Sequence, residues 1–179
     1  MSKNKTVVGI LDDQTQADNV VAALQNAGFS GNDISVLFPD KTGTRDFAHE
    51  HKTKAPEGAT AGAGTGGVLG GTLGLLAGIG ALSIPGLGPF IAAGPVMAAL
   101  SGAAVGATVG GVTGALVGLG MPEYEAKRYE GKLKTGNILV SAHTDDANER
   151  RRAKEIFESA GAEDISTASE ESVPHETRR

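Results

Sequence analysis

Apolar and polar positions follow regular patterns at both ends of this chain. Residues 6–11 form a short β-branched and aliphatic run, residues 16–27 carry apolar positions at helical spacing, and residues 34–38 form a second apolar run. Gly28 is well placed to end the helix. Residues 1–40 are therefore predicted to form a strand–helix–strand unit.

The same pattern returns in residues 137–169, which are predicted to form a strand, a helix and a short final strand. The two units are a sequence repeat, because Asp12-Asp13 recurs as Asp145-Asp146 at an offset of 133 positions. Each unit is too small to bury its own apolar face. We therefore predict an α+β fold, in which the units combine into a four-stranded antiparallel sheet with two helices on one side, the ferredoxin-like split βαβ repeat.

Between the two units lies a stretch, residues 58–122, that contains no Asp, Glu, Lys or Arg. Glycine recurs there at every fourth position, which places the glycines on one face of a helix. A glycine inside a helix costs about 1 kcal/mol relative to alanine, so we expect the repeat where helix backbones touch. The predicted helix-packing residues are Gly58, Gly62, Gly66, Gly70, Gly74, Gly78, Gly102, Gly106, Gly110, Gly114 and Gly118.

Three prolines separate the two glycine runs and are predicted to form the turn of a helical hairpin, because proline does not fit inside a continuous helix. They are Pro85, Pro89 and Pro95. At about 1.5 Å per residue, the predicted helices over residues 61–82 and 96–119 would be about 33 and 36 Å long, enough to cross a bilayer core of about 30 Å. Small residues four apart are typical of helices that approach closely in lipid. The repeat also suits helices buried by protein in a water-soluble oligomer.

Charged segments flank this stretch. Residues 41–57 are predicted to be a polar linker, residues 123–136 a charged surface helix, and residues 170–179 a disordered tail. Positive charges on both sides of the stretch, with none in the proline turn, favour a cytoplasmic location for the α/β domain. The predicted membrane-flanking residues are Lys52, Lys54, Lys127, Arg128, Lys132 and Lys134.

Composition narrows the classes of function. The net charge of -5 does not favour nucleic-acid binding, and the absence of cysteine excludes disulfides, thiolate nucleophiles and zinc–thiolate sites. Residues 62–67 match G-x-G-x-x-G, but no strand precedes them and no ribose-binding acid follows. His143 lies beside Asp145-Asp146, yet the equivalent Asp12-Asp13 has no histidine, which favours helix capping over catalysis. We predict no enzyme activity, no cofactor, no metal site and no small-molecule substrate.

Three segments carry a resemblance to a known family. They are KAPEGATAGAGTGGVLGG (54–71), IPGLGPFIAAGPVMAAL (84–100) and GMPEYEAKRYEGKLKTGNILVSAH (120–143). These segments resemble the bacterial general-stress-protein family of the heat-induced YflT type. The resemblance covers most of the chain and implies a stress-associated, non-enzymatic bacterial protein, with no catalytic or ligand residues to carry over. The layout is also similar to a small subunit of the alternative complex III respiratory assembly, a similarity of architecture alone.

Three functions stay open at this point. The first is a stress protein anchored to the bacterial inner membrane by the hairpin, in contact with lipid and associating with itself through the glycine faces. The second is a cytoplasmic, water-soluble homo-oligomer whose hairpins bury one another. The third is a ligand-sensing ferredoxin-like domain.

Overall fold

A computed structural model describes residues 5–39, 80–84, 88–95 and 111–169 of this chain. In chain order its elements are β1 (Lys5–Leu11), α1 (Gln14–Asn26), β2 (Ile34–Pro39), β3 (Gly80–Ile84), β4 (Gly88–Ala93), α2 (Gly111–Gly118), α3 (Glu123–Lys134), β5 (Ile138–Thr144), α4 (Ala147–Ser159) and β6 (Glu163–Ser169). The predicted α+β class is confirmed, and each strand and helix of the two predicted units is present.

The strands form one antiparallel sheet in the order β3–β4–β2–β5–β1–β6. The two units interleave, because β5 of the second unit pairs with both β1 and β2 of the first. The predicted number of four strands is wrong, since β3 and β4 extend the sheet beyond β2. Their prolines suggested a turn, but Pro89 lies at the start of β4, where that strand pairs with β3 alone.

Helices cover both faces of this sheet, whereas the sequence analysis placed helices on one side only. On one face, α1 and α4 pack against the sheet through residues such as Leu24 and Phe157. On the other face, α2 and α3 contribute Leu116, Tyr129 and Leu133 to a second core. The many charged residues of α3 led to the prediction of a surface helix, although its apolar residues at helical spacing are buried.

The helices α1 and α4 begin with the same aspartate cap. The Asp13 carboxylate accepts a hydrogen bond from the backbone N–H of Gln16 at 2.8 Å, and the Asp146 carboxylate accepts one from Glu149 at 2.8 Å. In both helices the side chain at this third position also accepts the N–H of the residue before the cap. This reciprocal arrangement satisfies donors that a helix leaves free at its start. The predicted capping role of the repeated aspartates is confirmed.

The proline-containing segment belongs to the sheet of the α/β domain. Residues 80–82, predicted to be helical, lie in β3, and β3 forms a β-hairpin with β4. In turn β4 pairs with β2, with Phe38 opposite Ile91. Pro95 is exposed after β4, and Pro85 lies outside the described residues. The described part of this segment is therefore a β-hairpin and not the predicted turn between two helices.

The second predicted helix, residues 96–119, lies within the described residues only from Gly111 onward, where Gly111–Gly118 form α2. Gly111 has a φ of 47°, in the left-handed region. The backbone N–H of Thr113 donates a hydrogen bond to Oε2 of Glu130 at 3.2 Å. Backbone N–H groups without a partner inside the helix are typical of its first turn. Within residues 5–39, 80–84, 88–95 and 111–169, no helix has the length and apolar character needed to cross a membrane.

A close approach at Gly9 offers a test of the α4-side core. Pairing between β1 and β6 shifts register around Gly9, and a Cβ built there would lie 2.7 Å from Cδ1 of Phe157. We expect Gly9→Ala to lower the free energy of unfolding by about 1 to 3 kcal/mol through overpacking. Urea denaturation measures the change.

The matched control is Gly31→Ala, because a Cβ at Gly31 meets no heavy atom within 4 Å. This substitution is expected to change stability by less than about 1 kcal/mol. Equal losses for the two variants would show that the Phe157 ring does not press on Gly9.

Candidate functional site

The predicted glycine-packing face can be located on α2, which contains the end of the second glycine run. Val112, Ala115 and Leu116 point to the sheet and are buried. Gly114 and Gly118, four residues apart, lie on the opposite side of the helix. We call Gly114, Val117 and Gly118 the outer face of α2.

The end of this outer face is open in the described part of the chain. A Cβ built on Gly118 meets no heavy atom within 4 Å, and Val117 is 42% exposed. Among the described residues, no close contact therefore requires a glycine at position 118. The other predicted packing glycines lie outside the described residues, and they are Gly58, Gly62, Gly66, Gly70, Gly74, Gly78, Gly102, Gly106 and Gly110.

All four α3 cations predicted to flank a membrane form ion pairs within the protein. Lys127 and Lys134 pair with glutamates one turn earlier on the same helix, at 2.6 Å to Glu123 and 3.1 Å to Glu130. Arg128 and Lys132 instead reach across to β6, as described below. Each of these cations therefore has an anionic partner within the protein and does not need a lipid surface to balance its charge. The predicted residues Lys52 and Lys54 lie outside the described part of the chain.

A polar lock joins α3 to the start of β6. The hydroxyl of Tyr129 donates a hydrogen bond to the backbone carbonyl of Asp164 and lies 3.2 Å from Oγ of Ser166. The carboxylate of Asp164 lies 3.5 Å from Nε of Arg128 and 3.7 Å from Nζ of Lys132. We call these five residues the α3–β6 lock.

Two features show that the α3–β6 lock is under structural constraint. Tyr129 is fully buried, and this burial raises the pKa of its phenol to about 12. Asp164 has a φ of 51°, the only positive value among the described non-glycine residues. The sequence analysis missed this lock, although Tyr129 stands at helical spacing between Ala126 and Leu133, a pattern that indicates a buried face.

A second polar contact joins α3 to the start of α2. The Glu130 carboxylate accepts hydrogen bonds from both the hydroxyl and the backbone N–H of Thr113. Burial raises the pKa of this carboxyl, but the hydrogen bonds from Thr113 and Lys134 outweigh the effect, so that the net pKa lies below its ordinary value. A carboxylate at a helix N-terminus is also favoured by the helix dipole. The contact holds α2 and its outer face in position.

A surface groove of about 550 Å³ separates α1 from α4. Alanines and two larger aliphatic side chains form its apolar lining, and the polar residues in its lining are Gln16, Asn19, Arg152, Glu155 and Ser159. Gln16 is already engaged in the cap of α1, and Arg152 lies 4.0 Å from Glu149. The groove can admit a small apolar group.

The candidate acid–base pair at the end of β5 is loosely arranged. Nε2 of His143 lies 3.8 Å from Oδ1 of Asp145, and the Asp145 side chain is largely exposed. A proton-transferring pair is expected at hydrogen-bond distance, about 2.6 to 3.2 Å. The backbone N–H of His143 donates a hydrogen bond to the carbonyl of Asp33 at 2.7 Å. This bond joins β5 to the turn before β2. In the part of the chain that the structure covers, no cluster of three potential metal ligands occurs.

Comparisons with known proteins identify no relative of this chain. No protein-family model matches it, and no curated protein or solved structure is significantly similar to it. The resemblance to the general-stress-protein family therefore stays a prediction from the sequence, and the site must be interpreted from its own geometry.

The Glu130 contact predicts a pH-dependent contribution to stability. Because the folded pKa is below the ordinary value of 4.5, the contribution is present above that value and is lost as the pH falls through the folded pKa. We expect Glu130→Gln to lose about 1 to 2 kcal/mol at neutral pH and less at about pH 3. Thermal unfolding from pH 3 to 7, with exposed Glu158→Gln as the control, measures this difference. A loss that does not change with pH would contradict the assignment.

The α3–β6 lock predicts a penalty for removing one hydroxyl. Tyr129→Phe should lower the free energy of unfolding by about 1 to 3 kcal/mol, because the partly buried carbonyl of Asp164 loses its donor. The control is Tyr124→Phe, since Tyr124 is 71% exposed and its hydroxyl donates to the carboxylate of the neighbouring Glu125 at 3.1 Å. Chemical denaturation compares the two variants.

The same lock predicts an alkaline transition. The folded pKa of Tyr129 is raised, so its contribution is complete below pH 10 and is lost as the pH rises from 10 to about 12. The stability of the unsubstituted protein should fall more steeply over this range than that of Tyr129→Phe. Parallel curves for the two proteins would rule out a buried phenol at this position.

Proposed function

We propose that this protein is a non-enzymatic, stress-associated bacterial protein that associates with itself through the outer face of α2. The stress role is supported by the resemblance of residues 54–71, 84–100 and 120–143 to the YflT type of general stress protein. In this proposal the protein acts in the cytoplasm, and its glycine-rich stretch packs against protein. Its partner is a second copy of the chain.

We also infer that the two repeated units form a ferredoxin-like core. Four adjacent strands, β2–β5–β1–β6, come from the two units in alternation, and their helices α1 and α4 lie on one face. The hairpin β3–β4 and the pair α2–α3 are additions to this core. They form one end of the sheet and the described part of the layer on its second face.

The observation that carries the proposal is the orientation of the glycines in α2. A glycine in a helix costs about 1 kcal/mol, and among the described residues nothing touches the position of a Gly118 side chain. The exposed side chain of Val117 lies next to it on the same outer face. A second helix can approach the two glycines more closely than the usual distance of roughly 8 to 10 Å between helix axes, because glycine has no side chain. Two copies of one surface can then form a symmetric contact.

The pairing of β4 with β2 supports packing against protein over a membrane-spanning hairpin. The strands β2 and β3 belong to one sheet. Both ends of the segment that connects them therefore lie on the same side of any membrane. A segment that crosses a bilayer and returns needs two spans of about 20 apolar residues each. The uncharged residues before β3, 58–79, provide the length of about one span. Lipid anchoring is thus the disfavoured alternative.

Substitution of Gly118 separates self-association from folding. Gly118→Leu should weaken association about tenfold or more by overpacking the contact, while the folded monomer retains its stability because the position is open. Helix propensity contributes in the opposite direction, by up to about 0.7 to 1 kcal/mol. Sedimentation over a range of concentrations, together with thermal melting, measures both effects.

Gly131→Leu is the matched control, because Gly131 is a helical glycine of α3 with equally open space at its Cβ position. This variant should melt like Gly118→Leu but associate like the unsubstituted protein. Equal association of all three proteins would exclude the outer face of α2 as the contact. Retention in a carbonate-washed membrane fraction would favour the lipid-anchored alternative.

A further inference from the structure

Small side chains on both helices keep the groove between α1 and α4 open. Ala23 and Ala27 of α1 and Ala160 of α4 line it, whereas larger apolar residues at these positions would fill the space between two packed helices. Val20, which is fully buried, and Ile156 supply an apolar base. The volume of about 550 Å³ lies within the range of about 300 to 1,000 Å³ that is typical of small-molecule sites.

The groove also carries one charged side chain of each sign. Arg152 and Glu155 line it from α4, three positions apart, so their side chains lie on the same side of the helix. Arg152 lies 4.0 Å from Glu149, and Glu155 lies 3.8 Å from Arg151. Both distances exceed that of a hydrogen bond. In the described part of the chain, these ion pairs therefore leave the guanidinium of Arg152 and the carboxylate of Glu155 with hydrogen-bonding capacity for a ligand.

We propose that this groove binds a free α-amino acid with an aliphatic side chain. Such a ligand presents a carboxylate to Arg152, an ammonium group to Glu155 and an apolar side chain to the base of the groove. Hydrogen bonds between charged groups are about twice as strong as those between neutral groups. Asn19 and Ser159 also line the groove and are exposed, so they offer further polar groups to the ligand.

The pairing of charge with an apolar base selects this class of ligand. An aliphatic acid without an amine would leave Glu155 unpaired, and an aliphatic amine would leave Arg152 unpaired. A small polar amino acid would match both charges but would not cover Val20 and Ile156. Only a ligand that carries both charges and an apolar side chain satisfies the whole lining, and specificity of this kind depends on the groups that a competitor leaves unpaired.

This site is separate from the proposed surface of self-association. The helices α1 and α4 pack on one face of the sheet, and α2 packs on the other. Binding to the groove can therefore be measured in the full chain whatever its oligomeric state.

Titration with L-leucine, followed by two-dimensional NMR of the backbone amides, tests the proposal in the full chain. L-Leucine should shift the amide signals of groove residues such as Ala23 and Ile156. Because the groove is open to solvent, we expect saturation with a Kd on the order of 1 mM. Two truncated probes separate the charges, since isocaproate lacks the ammonium group of leucine and isoamylamine lacks its carboxylate. Each should bind about fivefold more weakly than L-leucine.

Matched substitutions on α4 identify the residues that hold the two charges. Arg152→Gln and Glu155→Gln should each weaken L-leucine binding about fivefold, whereas Arg150→Gln and Glu158→Gln, which lie outside the groove lining, should leave it unchanged. The truncated probes need no substitution, so they test the proposal even if a variant folds poorly. Isocaproate or isoamylamine binding as tightly as L-leucine, saturable shifts confined to residues outside the groove, or the absence of saturable shifts would overturn the proposal.

Discussion

Strand β5 is the element on which the rest of the structure depends, because it hydrogen-bonds to β1 on one side and to β2 on the other. It brings the second repeated unit into the middle of the first. Leu139 and Val140 are fully buried and point to opposite faces of the sheet. A strand that is apolar on both faces needs a helical layer on each. The fold is therefore a three-layer arrangement, although a simple repeat of two units would provide only two layers.

The second helical layer explains why a highly charged helix belongs to the core. In α3, Ala126, Tyr129 and Leu133 face the sheet, and charged side chains occupy most of the other positions. Arg128 and Lys132 form ion pairs with Asp164. Glu130 accepts a hydrogen bond from Thr113 at the start of α2. The helix thus connects three parts of the molecule through contacts of different kinds. Its charges position neighbouring elements, and this role accounts for their ion pairs.

The repeated units were predictable from the sequence because local signals agreed there. Apolar spacing, the aspartate caps and the helix-ending Gly28 all indicated the same elements. The segment around Pro89 was misjudged, since its prolines and lack of charge suit a turn between helices as well as a β-hairpin in a sheet. Long-range pairing with β2 determines its structure, and such pairing leaves no local pattern.

The candidate site was predictable in part. Glycine spacing correctly indicated that Gly114 and Gly118 share one side of a helix, but the partner of that side cannot be derived from spacing. The partners of Arg128 and Lys132 on β6, Glu163 and Asp164, were not predicted because they are distant in sequence. The left-handed backbone of Asp164 left no signal, since aspartate is common in many turn positions.

The interleaving of the two units also has a consequence for synthesis on the ribosome. The hydroxyl of Thr144 donates to the carbonyl of Lys5 across a sequence separation of 139 residues. At about 5 to 20 residues per second, β1 waits roughly 7 to 30 s for β5 to be made. During that time the apolar strands β1 and β2 lack the strand that joins them, and the glycine-rich stretch is made before that strand. The nascent chain therefore exposes apolar strands until the last third of the protein has left the exit tunnel.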